Sequence, residues 1–219
     1  MAYGTFVATG KKPSGKSEGK AKFVKEKRTT NTFASHLNGE QSVGIVPINE
    51  DSQCWWGCID IDIYPLDHSE LVQRIQKLKL PLVLCRSKSG GGHVFLFLKE
   101  PVAAEVLQNK LKEIASELGC AKGTEIFPKQ IVLVLERGDK GNFLNLPYFN
   151  HENGLRYAFK TTGEMATLQE FVEMAEASAV MPDALDKLLV KETPEIDERL
   201  KDGPPCLQVL LRQGFPEGT

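Results

Sequence analysis

Residues 54–63 read CWWGCIDIDI, and Tyr64-Pro65-Leu66 breaks the run. Aromatic and β-branched residues dominate it, and its end alternates apolar with acidic, the period of a strand. In a strand, residues two apart project from the same face. Asp60 and Asp62 therefore leave one side of an apolar strand together, with Ile61 in the opposite layer. Two carboxylates side by side repel unless they share a cation. Such oxygen donors, completed by water and phosphate oxygens, suit Mg2+ or Mn2+ rather than zinc. The plainer alternative is a solvated acidic pair at a strand end, because DxD alone is a weak motif.

Downstream, Asp67 or Ser69 caps a helix that runs to about Leu78, with Leu71, Ile75 and Leu78 on one face. PLVLCRS (81–87) and HVFLFL (93–98) read as strands, with a turn at Gly90-Gly91-Gly92 between them. Glycines let a backbone approach a ligand and expose successive amides, so Gly91 and Gly92 suit a phosphate site. Arg86, Ser87, Lys88 and Ser89 add donors on its rim, and His93 is placed to bind a phosphate or hold a base. The segment lacks the GK[ST] ending of a Walker loop and leads into a strand. The alternative is a hairpin turn whose glycines only set its geometry.

A helix follows over 101–118, with Val106, Leu107, Leu111, Ile114 and Leu118 apolar. Short strands are expected near 124–127 and 131–135. Glu125 is placed to complete a carboxylate trio with Asp60 and Asp62. Two metals held about 3.5–4 Å apart by such a trio align a hydroxyl with an α-phosphate. Lys129 suits phosphate or template, although for Glu125 alone a surface strand position is the better reading. Residues 141–148, GNFLNLPY, read as extended. Asn142 and Asn145 suit sugar or base edges there, and Phe143 or Tyr148 a stacked base, with strand packing as the alternative. Residues 155–160 look extended and 167–177 helical. Hairpin-like strand pairs with packing helices make an α+β pattern, a mixed or antiparallel sheet covered on one side.

Residues 11–28 carry Lys11, Lys12, Lys16, Lys20, Lys22, Lys25, Lys27 and Arg28 against Glu18 and Glu26. That run suits phosphate contacts, while the net charge of −2 does not advertise a nucleic-acid binder. The domain reading is a basic flexible N-terminal segment at 1–30, a catalytic domain at 31–177 and a proline-punctuated linker at 178–203. Residues 204–219 read as the start of a C-terminal helical unit cut short where the chain ends. A hydrophobic content of 41% supports an ordinary core. No run approaches the roughly 20 apolar residues of a membrane span. The N-terminus lacks a signal-peptide core, so no membrane association and a cytoplasmic site are expected. Five widely spaced cysteines with no CxxC pair argue for free thiols over disulfides, with half a zinc site at Cys54 and Cys58 the weaker reading.

The order of hydrophobic-DID, SKSGGGH-hydrophobic, EIFPKQ and GNFLNLPYF resembles the archaeo-eukaryotic primase superfamily. It is closest to primase-polymerases of phages, plasmids and mobile elements. The resemblance covers roughly residues 40–150, with a weaker echo in the PPCLQ tail. It matches the family's DxD to Asp60 and Asp62. Ser89 and His93, separated by three glycines, form a looser version of its SxH motif. Glu125 stands for its third acid, usually Asp. The resemblance implies an RRM-like antiparallel or mixed sheet with helices, joined to a smaller N-terminal α/β module. It also implies a two-metal Mg2+ or Mn2+ site with no organic cofactor, and DNA template, primer and dNTPs or NTPs as substrates. No helicase motif appears, so unwinding is expected from a C-terminal region or a separate protein. A monomer is expected. Two other readings stay open. One is a metal-dependent nuclease or phosphohydrolase with His93 as base; the other is a non-catalytic DNA-binding module.

Overall fold

The computed structural model describes residues 3–13 and 16–189. In chain order the elements are β1 (Tyr3–Lys11), β2 (Ser17–Val24), α1 (Thr30–Leu37), β3 (Gly44–Ile45), β4 (Gln53–Ile61) and α2 (His68–Lys77). Then come β5 (Leu82–Arg86), β6 (Gly92–Ala103), α3 (Ala104–Glu117), β7 (Glu125–Phe127), β8 (Leu144–Asn145), α4 (Leu168–Ser178) and α5 (Pro182–Leu185). The fold is α+β, with two four-stranded sheets ordered β2-β1-β3-β8 and β5-β6-β4-β7. Every pairing within them is antiparallel.

The second sheet carries the core. On one face Gly57 brings β4 against α3, since a Cβ there would stand 2.5 Å from Leu111 Cδ1. Ile59, Val94 and Leu96 on that face are buried, as are Leu71, Val72 and Ile75 of α2 and Leu107, Leu111 and Ile114 of α3. Asp67 caps α2 by accepting from Glu70 N at 2.9 Å, which fixes where the chain leaves β4. The opposite face is a row of Val83, Phe95, Cys58 and Phe127 across the four strands. It packs with Leu144, Tyr148, Ala158 and Ala166, and with Phe171 and Met174 of α4. The sheet is thus covered on both faces, where one-sided coverage was expected. The second cover comes from α4 and from short, irregular segments carrying Leu144, Tyr148, Ala158 and Ala166, whose apolar residues show no period.

Within the segment expected to be flexible, the described residues 3–11 and 17–24 are strands. β1 and β2 form a hairpin, and β1 joins the first sheet through Gly4 opposite Gly44. The lysines lie on an exposed ribbon and mask the alternation that builds it. Residues 131–135 form no strand among the described residues. Ser52 Oγ accepts from Leu133 N and Asp139 Oδ2 from Val134 N, each at 3.0 Å, so side chains replace a ladder. The start of the expected linker is docked instead: Val180 N donates to Phe97 O and Lys99 N to Val180 O on β6. Residues 190–219, which hold the rest of that linker, Cys206 and the expected C-terminal unit, lie outside the described residues. Cys54, Cys58, Cys85 and Cys120 are free. Cys54 is fully buried, and burial pushes its thiol up to about 12.

Candidate active site

Register assembles the site. Asp60 on β4 pairs with His93 on β6 and with Glu125 on β7, and His93 pairs with Cys85 on β5. Directly opposed residues share a face of the sheet. Cys85, His93, Asp60 and Glu125 therefore form one row, two residues along from the apolar Val83–Phe95–Cys58–Phe127 row. The apolar row lies under the core cover, and the polar row opens at the edge of that cover. Asp62, just past the end of β4, follows Asp60 by one strand period.

A cavity of about 150 Å3 lies over this row. Asp60, Asp62, Ser87, Lys88, Ser89, His93 and Asn145 line it, joined by Lys16, Phe127, Phe143 and Leu144. Each carboxylate of the expected trio meets a basic group. His93 Nε2 lies 3.4 Å from Asp60 Oδ1. Lys16 pairs with Asp62 Oδ2, and Tyr64 Oη donates to Asp62 Oδ1 at 2.5 Å. Lys129 holds Glu125 at 2.7 Å. Burial pushes the Asp62 carboxyl up, but the hydrogen bonds from Lys16 and Tyr64 outweigh it and hold it below its ordinary value. Burial, then the bond to Asp62, pushes the Tyr64 phenol well up, so it remains a donor.

Close packing seats the glycine loop. Gly91 packs on the end of β4, where a Cβ would stand 2.2 Å from Ile61 O. Gly92 is packed against Leu66 and Leu84. Ser87 N donates to Gly91 O at 2.9 Å, closing a tight turn. The Gly91 and Gly92 backbone therefore serves to seat the loop, and the side chains of Ser87, Lys88 and Ser89 line the cavity. Arg86 does not line it; its guanidinium donates to Leu155 O at 3.0 Å. Lys129 and Glu125 also stand outside the lining residues. Tyr148 is buried and unavailable for stacking: its hydroxyl bonds Ala166 O at 2.9 Å and accepts from Ala158 N at 3.1 Å. Phe143 packs edge-on against Phe23, and Asn142 Oδ1 accepts from Gln130 at 2.6 Å.

Lys88 also borders a larger cavity of about 700 Å3, whose lining includes Lys22, Ser42, Phe149 and Arg156. Arg156 donates to Ser42 Oγ at 3.2 Å and stacks on Phe149. Burial pushes Arg156 down to about 10. Burial, helped by Arg156, pushes Lys88 down to about 8. Two cations that repel across a partly dry cavity favour an anion between them. Lys16, Tyr64 and Arg156 escaped the sequence reading. Lys16 reads as part of a solvated basic run, Tyr64 as a strand breaker, and Arg156 has no motif around it.

In chemistry the donors suit a hard divalent cation: Asp60 and Asp62 offer carboxylate oxygens from one face of the sheet, with Glu125 on the adjacent strand. Among the described residues, no three His, Cys, Asp or Glu side chains stand close enough together to hold a metal ion. The protein's own basic groups take the oxygens instead. Among the same residues no helix is long and apolar enough to cross a membrane.

A family model described as the archaeo-eukaryotic primase domain of TOTE conflict systems matches residues 5–174. No curated protein matches the chain. Among solved structures, the archaeo-eukaryotic primase domain of the cyanophage S-2L primase-polymerase is similar at 11% identity and a TM-score of 0.43. That match covers 80% of this chain and 88% of the other.

Proposed function

On the premise that the chain belongs to the archaeo-eukaryotic primase family of TOTE conflict systems, we propose that it is a template-directed DNA primase-polymerase. It joins a dNTP or NTP to a 3′-hydroxyl on a DNA template, with two divalent cations, Mg2+ or Mn2+. The observation that carries this reading is the register that sets Asp60 between His93 and Glu125, one strand period from Asp62.

Asp60 and Asp62 would hold the cations, with Glu125 on the adjacent strand as the third acid. Held there, such cations would supply a lowered pKa for the attacking hydroxyl and charge stabilisation for the departing pyrophosphate. His93 is held at Asp60 and reaches the nucleotide's phosphates from the floor of the cavity. Ser87 and Ser89 donate to the same phosphates, and Lys88 with Arg156 balances their charge. Asn145 stands on the opposite wall, from β8, where a sugar hydroxyl or base edge would lie.

Template DNA, dNTPs or NTPs and Mg2+ or Mn2+, incubated with and without a labelled primer, test this reading on a gel. Extension that disappears in Asp60→Ala is the expected result, and products without primer add priming. Degradation of the template with no synthesis would overturn it in favour of a metal-dependent nuclease.

A further inference from the structure

The β1–β2 hairpin reaches the cleft at three points. Lys16 pairs with Asp62. Ser17 N donates to Ser89 Oγ at 2.9 Å, and Ser89 Oγ donates to Ser17 Oγ at 3.1 Å. Lys88 Nζ sits 3.2 Å from the centroid of the Phe6 ring. The hairpin's other ties are at its base, through Gly4 opposite Gly44 and Phe23 against Phe143. Beyond Phe6 the β1 strand is exposed, so core packing does not place this end of the ribbon. Polar contacts to the two motifs place it.

Lys16 stands out among these contacts. A lysine on an exposed ribbon ordinarily keeps its ammonium in water. Here it crosses 46 residues of sequence to reach Asp62. With Tyr64 on Oδ1 and Lys16 on Oδ2, both oxygens of Asp62 are occupied. Each oxygen keeps a further lone pair, but a divalent cation bound there repels the Lys16 ammonium, so the two compete for Asp62. Lys16, a cation on a ribbon outside the catalytic sheet, is the donor that such repulsion drives off, whereas the neutral Tyr64 hydroxyl can stay.

Resting on the primase-polymerase reading of this cleft, we infer that the hairpin is a working wall of the active site and Lys16 a positioning residue within it. Lys16 occupies the cation place at Asp62 in the metal-free protein and turns to the nucleotide's phosphates once that place is filled. The consequence is a pair of opposite effects: Lys16 weakens binding of metal alone and strengthens binding of nucleotide. A merely structural lysine would move both affinities the same way or neither.

The test is titration of the metal-free full chain with Mn2+, following free ion by electron paramagnetic resonance. Lys16→Ala is expected to tighten Mn2+ by roughly two- to fivefold, the scale of one partly exposed ion pair. Lys20→Ala, elsewhere on the ribbon, should leave it unchanged, and Asp62→Asn should weaken it. Fluorescence anisotropy of a labelled dATP at saturating Ca2+ is expected to show weaker nucleotide binding by Lys16→Ala, on the same scale. Mn2+ affinity equal to or weaker than that of the native chain, or nucleotide affinity unchanged, would overturn the inference. Neither result depends on synthesis. An unmoved Mn2+ affinity leaves the polymerase reading standing, and synthesis that survives Asp60→Ala removes that reading whatever Lys16 does.

Discussion

Asp60→Ala and Asp62→Ala each delete a carboxylate from the cleft without touching the apolar row beside it. Both variants are expected to keep a native far-UV circular dichroism spectrum and to lose at least about a hundredfold in nucleotide transfer, the scale of one lost electrostatic group. Full activity in both would contradict a metal-ligand role. Lys88 gives a pH signature. Burial first, then Arg156, holds it down at about 8. Its charge is present below that pH and is lost as pH rises through it. Nucleotide KM is therefore expected to rise by about tenfold across that interval, the scale of one charge-assisted hydrogen bond. Lys88→Arg, which stays charged, should flatten the profile; a native KM that is flat in pH would refute the phosphate role. At this scale the sequence was half legible. Asp60, Asp62, Lys88, Ser89 and His93 lie in short motifs beside turn and strand signals. Lys16, Tyr64 and Arg156 act through distance in space, and nothing in their neighbours announces it.

Among elements, the glycine loop shows most clearly how chemistry depends on packing. Gly91→Ala would drive a Cβ into Ile61 O and lift the loop from β4, with a cost of about 1–3 kcal/mol from overpacking. Urea unfolding should show that loss, with weakened nucleotide binding alongside it; unaltered stability would mean that the loop is not seated as described. His36 does comparable work for the first sheet. Its Nδ1 accepts from Val43 N at 3.0 Å and its Nε2 donates to Pro147 O at 2.8 Å, so it is neutral. Burial lowers its pKa below the ordinary value. A His that folds neutral stabilises fully above the unfolded pKa near 6.5, and that contribution fades as pH falls below it. Acid titration of stability should show this fall in the native chain and lose it in His36→Ala, which also costs about 1–3 kcal/mol for unpaired buried groups. The strand pairs and helices from 53 to 117 were legible because their periods are clean. The hairpin at 3–24 was not, since lysines on both sides of an exposed ribbon look like a solvated tail. Nor was the absence of a strand at 131–135, where an apolar run finds no neighbouring edge.

Over the whole molecule, two antiparallel sheets divide the labour. The second sheet, buried between α2 and α3 and the segments around α4, holds the acids at fixed register. The first brings Asn145 on β8 and the basic hairpin to the opposite wall. The α+β class was readable from the order of periods, but the split into two sheets depends on long-range pairings such as Gly4 with Gly44, which carry no local signal. What most directly tests the central chemistry is primer extension by Asp60→Cys, compared in Mg2+ and in the more thiophilic Mn2+ and Cd2+. A thiolate in place of a carboxylate disfavours the hard ion and tolerates softer ones. The expected result is negligible extension in Mg2+ with partial recovery in Mn2+ or Cd2+, and no recovery in Asp60→Ala. Extension by Asp60→Cys in Mg2+ equal to that of the native chain would contradict a metal-bound Asp60 at the heart of the reaction.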